Sequence, residues 1–345
     1  MTSRPVAENS DPSKLTRKDF VSDQEVRWCP GCADYSILAQ VQRTLPTLGI
    51  PKENYVFVSG IGCSSRFPYY MDTFGIHGIH GRAPAIATGI KIARPELSVW
   101  VVTGDGDALS IGGNHLLHSL RRNIGLKILM FNNRIYGLTK GQYSPTSELG
   151  KKTKSTPIGS VDYPVDPVGL ALGAGATFVA RALGTDAQQM QEILARAARH
   201  RGTAFVEIYQ TCVIFNDDSF ADLADAATKD ERRVLLSQGK PLRFGKNQER
   251  GIILDSSGKP KVVGVAEHGA ENLLVHDEGS DTLPFLLARL GAPEFPVPMG
   301  IFRAIERPSY EELVTEQVRV AQGKRSGTVQ SLLNSGDTWT VGGQG

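Results

Sequence analysis

Short apolar runs of roughly four to eight residues alternate with helix-patterned segments through the first two thirds of this chain. YVFVSG (55–60), SVWVVTG (98–104), LKILMFNN (126–133) and TAFVEIYQ (203–210) read as buried strands. Between them YSILAQVQRTL, PAIATGIKIARP, SIGGNHLLHSLRRN and GTDAQQMQEILARAARH read as helices, and Pro46 and Gly49 break the first. Strands this apolar need cover on both faces. The pattern predicts an α/β fold, a parallel sheet with helices on both sides.

The outer segments read differently. Residues 1–25 are expected to form a flexible arm, 26–215 the main domain, and 216–345 a more irregular C-terminal extension. Within that extension FNDDSFADLADAATKDERR has a charged helical look, GIILDSSGKPKVV a hairpin look, and SGDTWTVGGQG an unpacked one. VGLALGAGATFVARALG (168–184) is apolar, but its glycines and Arg181 interrupt it well short of a membrane span. The polar start MTSRPVAENSDPSK carries no signal-peptide pattern. A net charge of +2 gives no reason to expect nucleic acid or a membrane surface as partner. With four cysteines in 345 residues a disulfide scaffold is not expected, and a reducing cytosol is.

Two constellations carry chemistry. In VVTGDGDALSIGG a buried strand ends at Gly104, and Asp105, Gly106 and Asp107 follow before a helix. A helix start offers unpaired N–H groups to a phosphate, Gly106 lets the backbone approach, and Asp105 offers a hard oxygen to a divalent cation. The plainer alternative is that Asp105 only caps a helix. A second strand ends at Asn132-Asn133, and parallel strand ends share one sheet edge, where ligands bind. The other constellation is Cys29-Pro-Gly-Cys32, with Cys63 and Cys212 completing the cysteine content. A Cys-x-x-Cys pair suits a redox dithiol, half a zinc site or half an iron–sulfur site. Separations of 2, 30 and 148 residues between successive cysteines are not the compact pairs of a zinc finger, and suit a cluster held by several loops.

Asp105 and Asn133 lie 28 positions apart, and GDG followed at that interval by NN resembles the thiamine diphosphate motif of thiamine-dependent enzymes. The resemblance implies that Asp105, the Asn133 side chain and the Ile135 carbonyl bind Mg2+. Amides of Gly106, Asp107, Gly137 and Leu138 would hold the diphosphate, with Gly104 beside them. Taken with the CPGC, GIGCSSR and TCVIFN segments, the chain resembles the beta subunits of 2-oxoacid:ferredoxin oxidoreductases from about Val26 to Phe215. That resemblance implies a [4Fe-4S] cluster on Cys29, Cys32, Cys63 and Cys212, and Ile61, Gly62 and Ser64 lining the thiazolium. It places His80, in the HGR segment, on the cofactor; His77 is expected to be an ordinary loop or core histidine. Lys140 matches a lysine linked to coenzyme A, against the plain reading of a solvated loop residue. His115 and His118 read as helix surface, GKKTKS (150–155) as a basic run for a coenzyme phosphate or ferredoxin or only a solvated face, and Arg66 and Arg82 as candidate carboxylate binders.

The implied reaction is coenzyme A-dependent oxidative decarboxylation of a 2-oxoacid, with electrons leaving through the cluster to ferredoxin. No second thiamine-type domain is visible in the sequence. An alpha subunit is therefore expected to supply the glutamate that activates thiamine, in an alpha2-beta2 heterotetramer. SSRFPYYMDTFGIHGIHGRAPA looks more like the 2-oxoglutarate enzymes (2-oxoglutarate synthase type) than the pyruvate or broad-specificity ones. A non-redox thiamine decarboxylase with structural zinc and a non-catalytic electron carrier are the competing readings.

Overall fold

The computed structural model describes residues 11–324, 327–339 and 341–342. Each expected strand forms: β1 (Tyr55–Ser59), β3 (Ser98–Gly104), β4 (Leu126–Asn132) and β6 (Ala204–Tyr209). They join β2 (Phe74–His77), β5 (Phe178–Leu183), β7 (Arg233–Leu236) and β11 (Val297–Ala304) in one eight-stranded sheet, ordered β2-β1-β3-β4-β6-β5-β11-β7. Every pairing is parallel except that of β11 with β5.

Helices α1 (Asp34–Thr44), α2 (Ala83–Ala93), α3 (Asp105–Leu109), α4 (Gly113–Arg121), α5 (Pro167–Gly173) and α6 (Ala187–Arg199) cover the sheet. Side chains alternate between faces along each strand. From β3, Val99 and Val101 join Ala87, Leu116 and Leu120 beneath α2 and α4, whereas Trp100 and Val102 join Ile37, Val41, Ile193 and Leu194 beneath α1 and α6. Fully burying each such side chain is worth about 1.5–3 kcal/mol, which is why the strands must be apolar on both sides.

Two expectations change. The first ten residues of the expected arm lie outside the described residues, and residues 11–25, mostly exposed, are anchored by one buried side chain. Two 3-10 turns, Pro12–Lys14 and Arg17–Phe20, bring the fully buried Phe20 edge-on to Tyr55 at 5.6 Å between ring centres. An aromatic ring worth that much burial holds its segment down. The boundary at residue 215 does not divide the sheet, because β7 and β11 from the extension complete it. The extension's expected hairpin forms as β9 (Arg250–Leu254) with β10 (Pro260–Gly264), and β8 (Arg243–Phe244) adds a third strand to this small antiparallel sheet.

The interrupted run 168–184 divides into α5 and the fully buried β5. Its interrupting arginine is matched across the strands, since Arg181 stands directly opposite Glu207 of β6 and Nε donates to Glu207 Oε2 at 2.6 Å. A buried charge needs such a partner. Among the described residues no helix is long and apolar enough to cross a membrane.

Candidate active site

The carboxyl ends of β1, β3, β4 and β6 open on one edge of the sheet, and the loops that leave them carry the chemistry. Residues 60–64 follow β1, Asp105–Asp107 follow β3, residues 133–143 follow β4 and residues 210–213 follow β6. They enclose a cavity of about 520 Å³ lined by Ile61, Gly62, Cys63, Ser64, His80, Gly104, Asp105, Gly106, Asp107, Asn133, Ile135, Gly137 and Leu138. Thirteen residues singled out in the sequence thus meet around one space. Asp34, Tyr136, Gln142 and Gln210 line it as well.

Asp105 is 2% exposed and is not ion-paired with any described residue. Its Oδ2 accepts from Ser144 Oγ at 2.5 Å and from Thr146 Oγ1 at 2.7 Å. Burial raises its pKa, and the Ser144 and Thr146 hydroxyls pull the other way. A buried carboxylate without a counter-charge is costly, and a cation offered on the cavity side relieves it. Asn133 stands beside it on the cavity wall, with its Oδ1 accepting from Ile135 N at 3.2 Å and its carbonyl from Asn216 Nδ2 at 3.0 Å. Hard oxygens from Asp105, Asn133 and Ile135 are a donor set suited to Mg2+ beside a phosphate. Asn132 turns the other way and donates to Glu207 Oε1 at 2.7 Å.

Asp107 holds the loops together through its side chain. Its Oδ1 accepts from Ile61 N at 3.1 Å, Gly81 N at 2.7 Å and His80 Nδ1 at 2.6 Å, and its Oδ2 accepts from Thr103 Oγ1 at 2.6 Å. A Cβ at Gly60 would lie 1.9 Å from Oδ2, so only glycine admits the carboxylate there. Because a carboxylate accepts, His80 carries its proton on Nδ1, leaving Nε2 free on the ring that lines the cavity.

The thiols converge on the same edge. All four are free; Cys29 is exposed, and Cys32, Cys63 and Cys212 are half-buried. A Cβ at Gly137 would lie 3.5 Å from Cys212 Sγ and 3.9 Å from Cys63 Sγ, and one at Gly31 would lie 3.7 Å from Val213. Gln210 Nε2 reaches Cys32 Sγ at 3.0 Å. Burial pushes Cys32 up to about 12 and Cys63 up to about 11, with the Asp34 carboxylate next; Cys63 adds to the rise at Cys32, and Cys212 and Cys29 to that at Cys63. Among the described residues no three His, Cys, Asp or Glu side chains close on one point as ligands of a single ion do. Thiols carried on three loops of this edge are the donor type a multi-iron cage takes, one sulfur to each iron.

The remaining expectations fall as follows. Lys140 is exposed in the loop beyond Gly137, with φ +81°, and does not line the cavity. His77 ends β2, its Nδ1 3.2 Å from the Tyr69 hydroxyl. Arg66 donates to the Arg27 carbonyl at 2.7 Å and Arg82 to that of His80 at 3.0 Å, so both have backbone partners. His115 and His118 are half-buried on α4. In the basic run Lys151 reaches Glu148 and Asn216. Ser144, Thr146, Gln210 and the Asp107 side chain were not singled out in the sequence. GQYSPTS gives no periodic signal, and only the return of that loop over β4 reveals its hydroxyls.

Residues 60–208, which hold the sheet edge and its cavity, match the family model described as thiamine pyrophosphate enzyme, C-terminal TPP binding domain. The chain is 57% identical over 330 residues to 2-oxoglutarate oxidoreductase subunit KorB of Mycobacterium tuberculosis, covering 94% of this chain and 88% of the relative. It is 42% identical over 221 residues to 2-oxoglutarate synthase subunit KorB of Archaeoglobus fulgidus, covering 63% and 82%. A solved structure of 2-oxoglutarate:ferredoxin oxidoreductase from Magnetococcus marinus, with 2-oxoglutarate, coenzyme A and succinyl-CoA bound, aligns at TM-score 0.75 and 31% identity over 93% of this chain and 96% of that one. This chain belongs to the beta subunits of the 2-oxoacid:ferredoxin oxidoreductases.

Proposed function

We propose that the chain is the beta subunit of a 2-oxoglutarate:ferredoxin oxidoreductase. The reaction converts 2-oxoglutarate and coenzyme A to succinyl-CoA, carbon dioxide and a proton, and its two electrons pass singly to ferredoxin. The observation that carries this reading is the shared wall at Cys63, which lines the cavity of Asp105 and Asn133 and stands beside Cys212 at Gly137. Electrons released in the cavity then have a short path to the thiols. The substrate and coenzyme named in the Magnetococcus marinus structure, and the names of both KorB relatives, favour 2-oxoglutarate over pyruvate.

In this reading Asp105, Asn133 and the Ile135 carbonyl hold Mg2+. The amides of Gly106, Asp107, Gly137 and Leu138 face the diphosphate, with Gly104 behind them. Thiamine diphosphate, when bound, supplies the carbon nucleophile and electron sink for decarboxylation. A [4Fe-4S] cluster on Cys29, Cys32, Cys63 and Cys212 supplies one-electron steps. Ile61, Gly62 and Ser64 form the wall between the two groups, and Asp107 presents His80 to the cofactor. Lys140, exposed in the loop beyond Gly137, would meet coenzyme A in this reading.

An alpha subunit supplies the thiamine-activating glutamate, in an alpha2-beta2 assembly within the reducing cytosol. Leu313 and Val318 on the helix Tyr310–Lys324, followed by exposed Leu332, Leu333 and Trp339, give the extension an apolar surface for that subunit. The test is anaerobic viologen reduction by the reconstituted complex. Turnover with 2-oxoglutarate well above that with pyruvate, and none from the chain alone, is expected. Absence of iron, sulfide and thiamine from the active complex would overturn the reading, and preference for pyruvate would overturn its substrate.

A further inference from the structure

The carboxamide of Gln210 joins the two halves of the site. Gln210 is 3% exposed, lies one residue beyond the end of β6, and its backbone N–H donates to the Asn132 carbonyl at 2.9 Å. That bond ties the end of β6 to the end of β4 and fixes where the side chain starts. Nε2 then lies 3.0 Å from Cys32 Sγ and 3.0 Å from the Thr211 carbonyl. A carbonyl only accepts, so the Thr211 contact sets which end of the amide is the N–H end. The other end, Oε1, has no donor among the described residues, and Gln210 lines the cavity.

We infer that Gln210 tunes the iron–sulfur cluster by donating an N–H···S hydrogen bond to Cys32, raising the potential at which the cluster accepts an electron. The inference rests on the cluster of the proposed function. Reduction adds negative charge to the cage, and a donor on a ligating sulfur stabilises that charge, so the reduced state gains more than the oxidised one. Burial enlarges the effect, because little water reaches Gln210 to supply a substitute donor. Gln210 is a positioning residue here and touches no reacting atom.

The test is the cluster midpoint potential, followed by electron paramagnetic resonance in a redox titration of the assembled complex. Gln210→Met keeps the length of the side chain without a donor, and Gln210→Glu keeps its shape but replaces the donor by an acceptor. Both are expected to shift the midpoint to more negative potential, Gln210→Glu further, with iron and thiamine contents equal to wild type. Midpoints equal to or above that of wild type would overturn the inference, and so would loss of the cluster in both variants, which would make Gln210 purely structural. If one variant alone loses the cluster, the other decides. A wild-type complex without iron and sulfide would instead sink the proposed function itself.

Discussion

Asp107 and His80 are joined by a 2.6 Å hydrogen bond from the imidazole Nδ1 to the carboxylate Oδ1, and the same oxygen accepts the Ile61 and Gly81 amides. One buried carboxylate therefore sets both the ring's tautomer and the positions of two loops at the cofactor cavity. Loop and ring cannot move independently.

Substitution of Asp107 separates these roles. Asp107→Ala leaves four donors without their acceptor and is expected to cost about 1–3 kcal/mol for each that water cannot reach. Asp107→Asn keeps the shape and an accepting Oδ1 but not the charge, and is expected to fold with a weakened hold on the His80 tautomer. Nitrogen-15 shifts of the His80 ring read this directly. Gly60→Ala, whose methyl would meet the same carboxylate, is expected to reproduce the Asp107→Ala phenotype in both stability and turnover.

Thr146 donates to Asp105 at 2.7 Å and also contacts Asn132 Oδ1 at 2.9 Å, so it orients the carboxylate to which the proposed function assigns Mg2+. Thr146→Val is expected to weaken Mg2+-dependent retention of thiamine diphosphate by roughly tenfold, the scale of one hydrogen bond to a charged group. Calorimetric titration with Mg2+ measures it. Thr146→Ser should restore most of the affinity; unchanged affinity in Thr146→Val would refute the role.

Arg181 and Glu207 face each other in the middle of the sheet, both almost wholly buried. Removing Glu207 leaves Arg181 only the longer, partly exposed contact with Asp166 at 3.5 Å. Glu207→Ala is expected to lose about 3–5 kcal/mol in chemical denaturation, and the paired replacement Arg181→Met with Glu207→Leu far less. A Glu207→Ala loss below about 1 kcal/mol would mean that water reaches the pair.

His200 predicts a pH dependence of stability. Burial, then the charges of Lys127 and Arg196, lower its pKa from the ordinary 6.5 to about 4, and its Nε2 lies 2.7 Å from the Thr177 hydroxyl. The folded chain keeps His200 neutral where the unfolded chain protonates it, so the unfolded state binds the extra proton. Stability from this residue is complete above pH 6.5 and is lost as pH falls from 6.5 to about 4. His200→Gln should flatten that part of a melting-temperature profile; an unchanged slope would count against the assignment.

The sequence by itself determined the strands that carry the site, because β1, β3, β4 and β6 are apolar on both faces and each runs into glycine or a polar ligand-bearing turn. It also supplied two candidate donor sets, because GDG at its interval from NN, and the four cysteines, are patterns of residue order that need no coordinates. Only the tertiary structure decided that β5, β7 and β11 finish the sheet. β5 hides its strand character behind Arg181, whose charge is acceptable because Glu207 lies opposite and Asp166 is 3.5 Å away, and β11 comes from residues distant in the chain. Likewise Asp107, Thr146 and Gln210 acquire their roles from contacts with His80, Asp105 and Cys32. Such hydrogen bonds join loops from different strands, and a sequence records residue order but not which loops meet at a sheet edge.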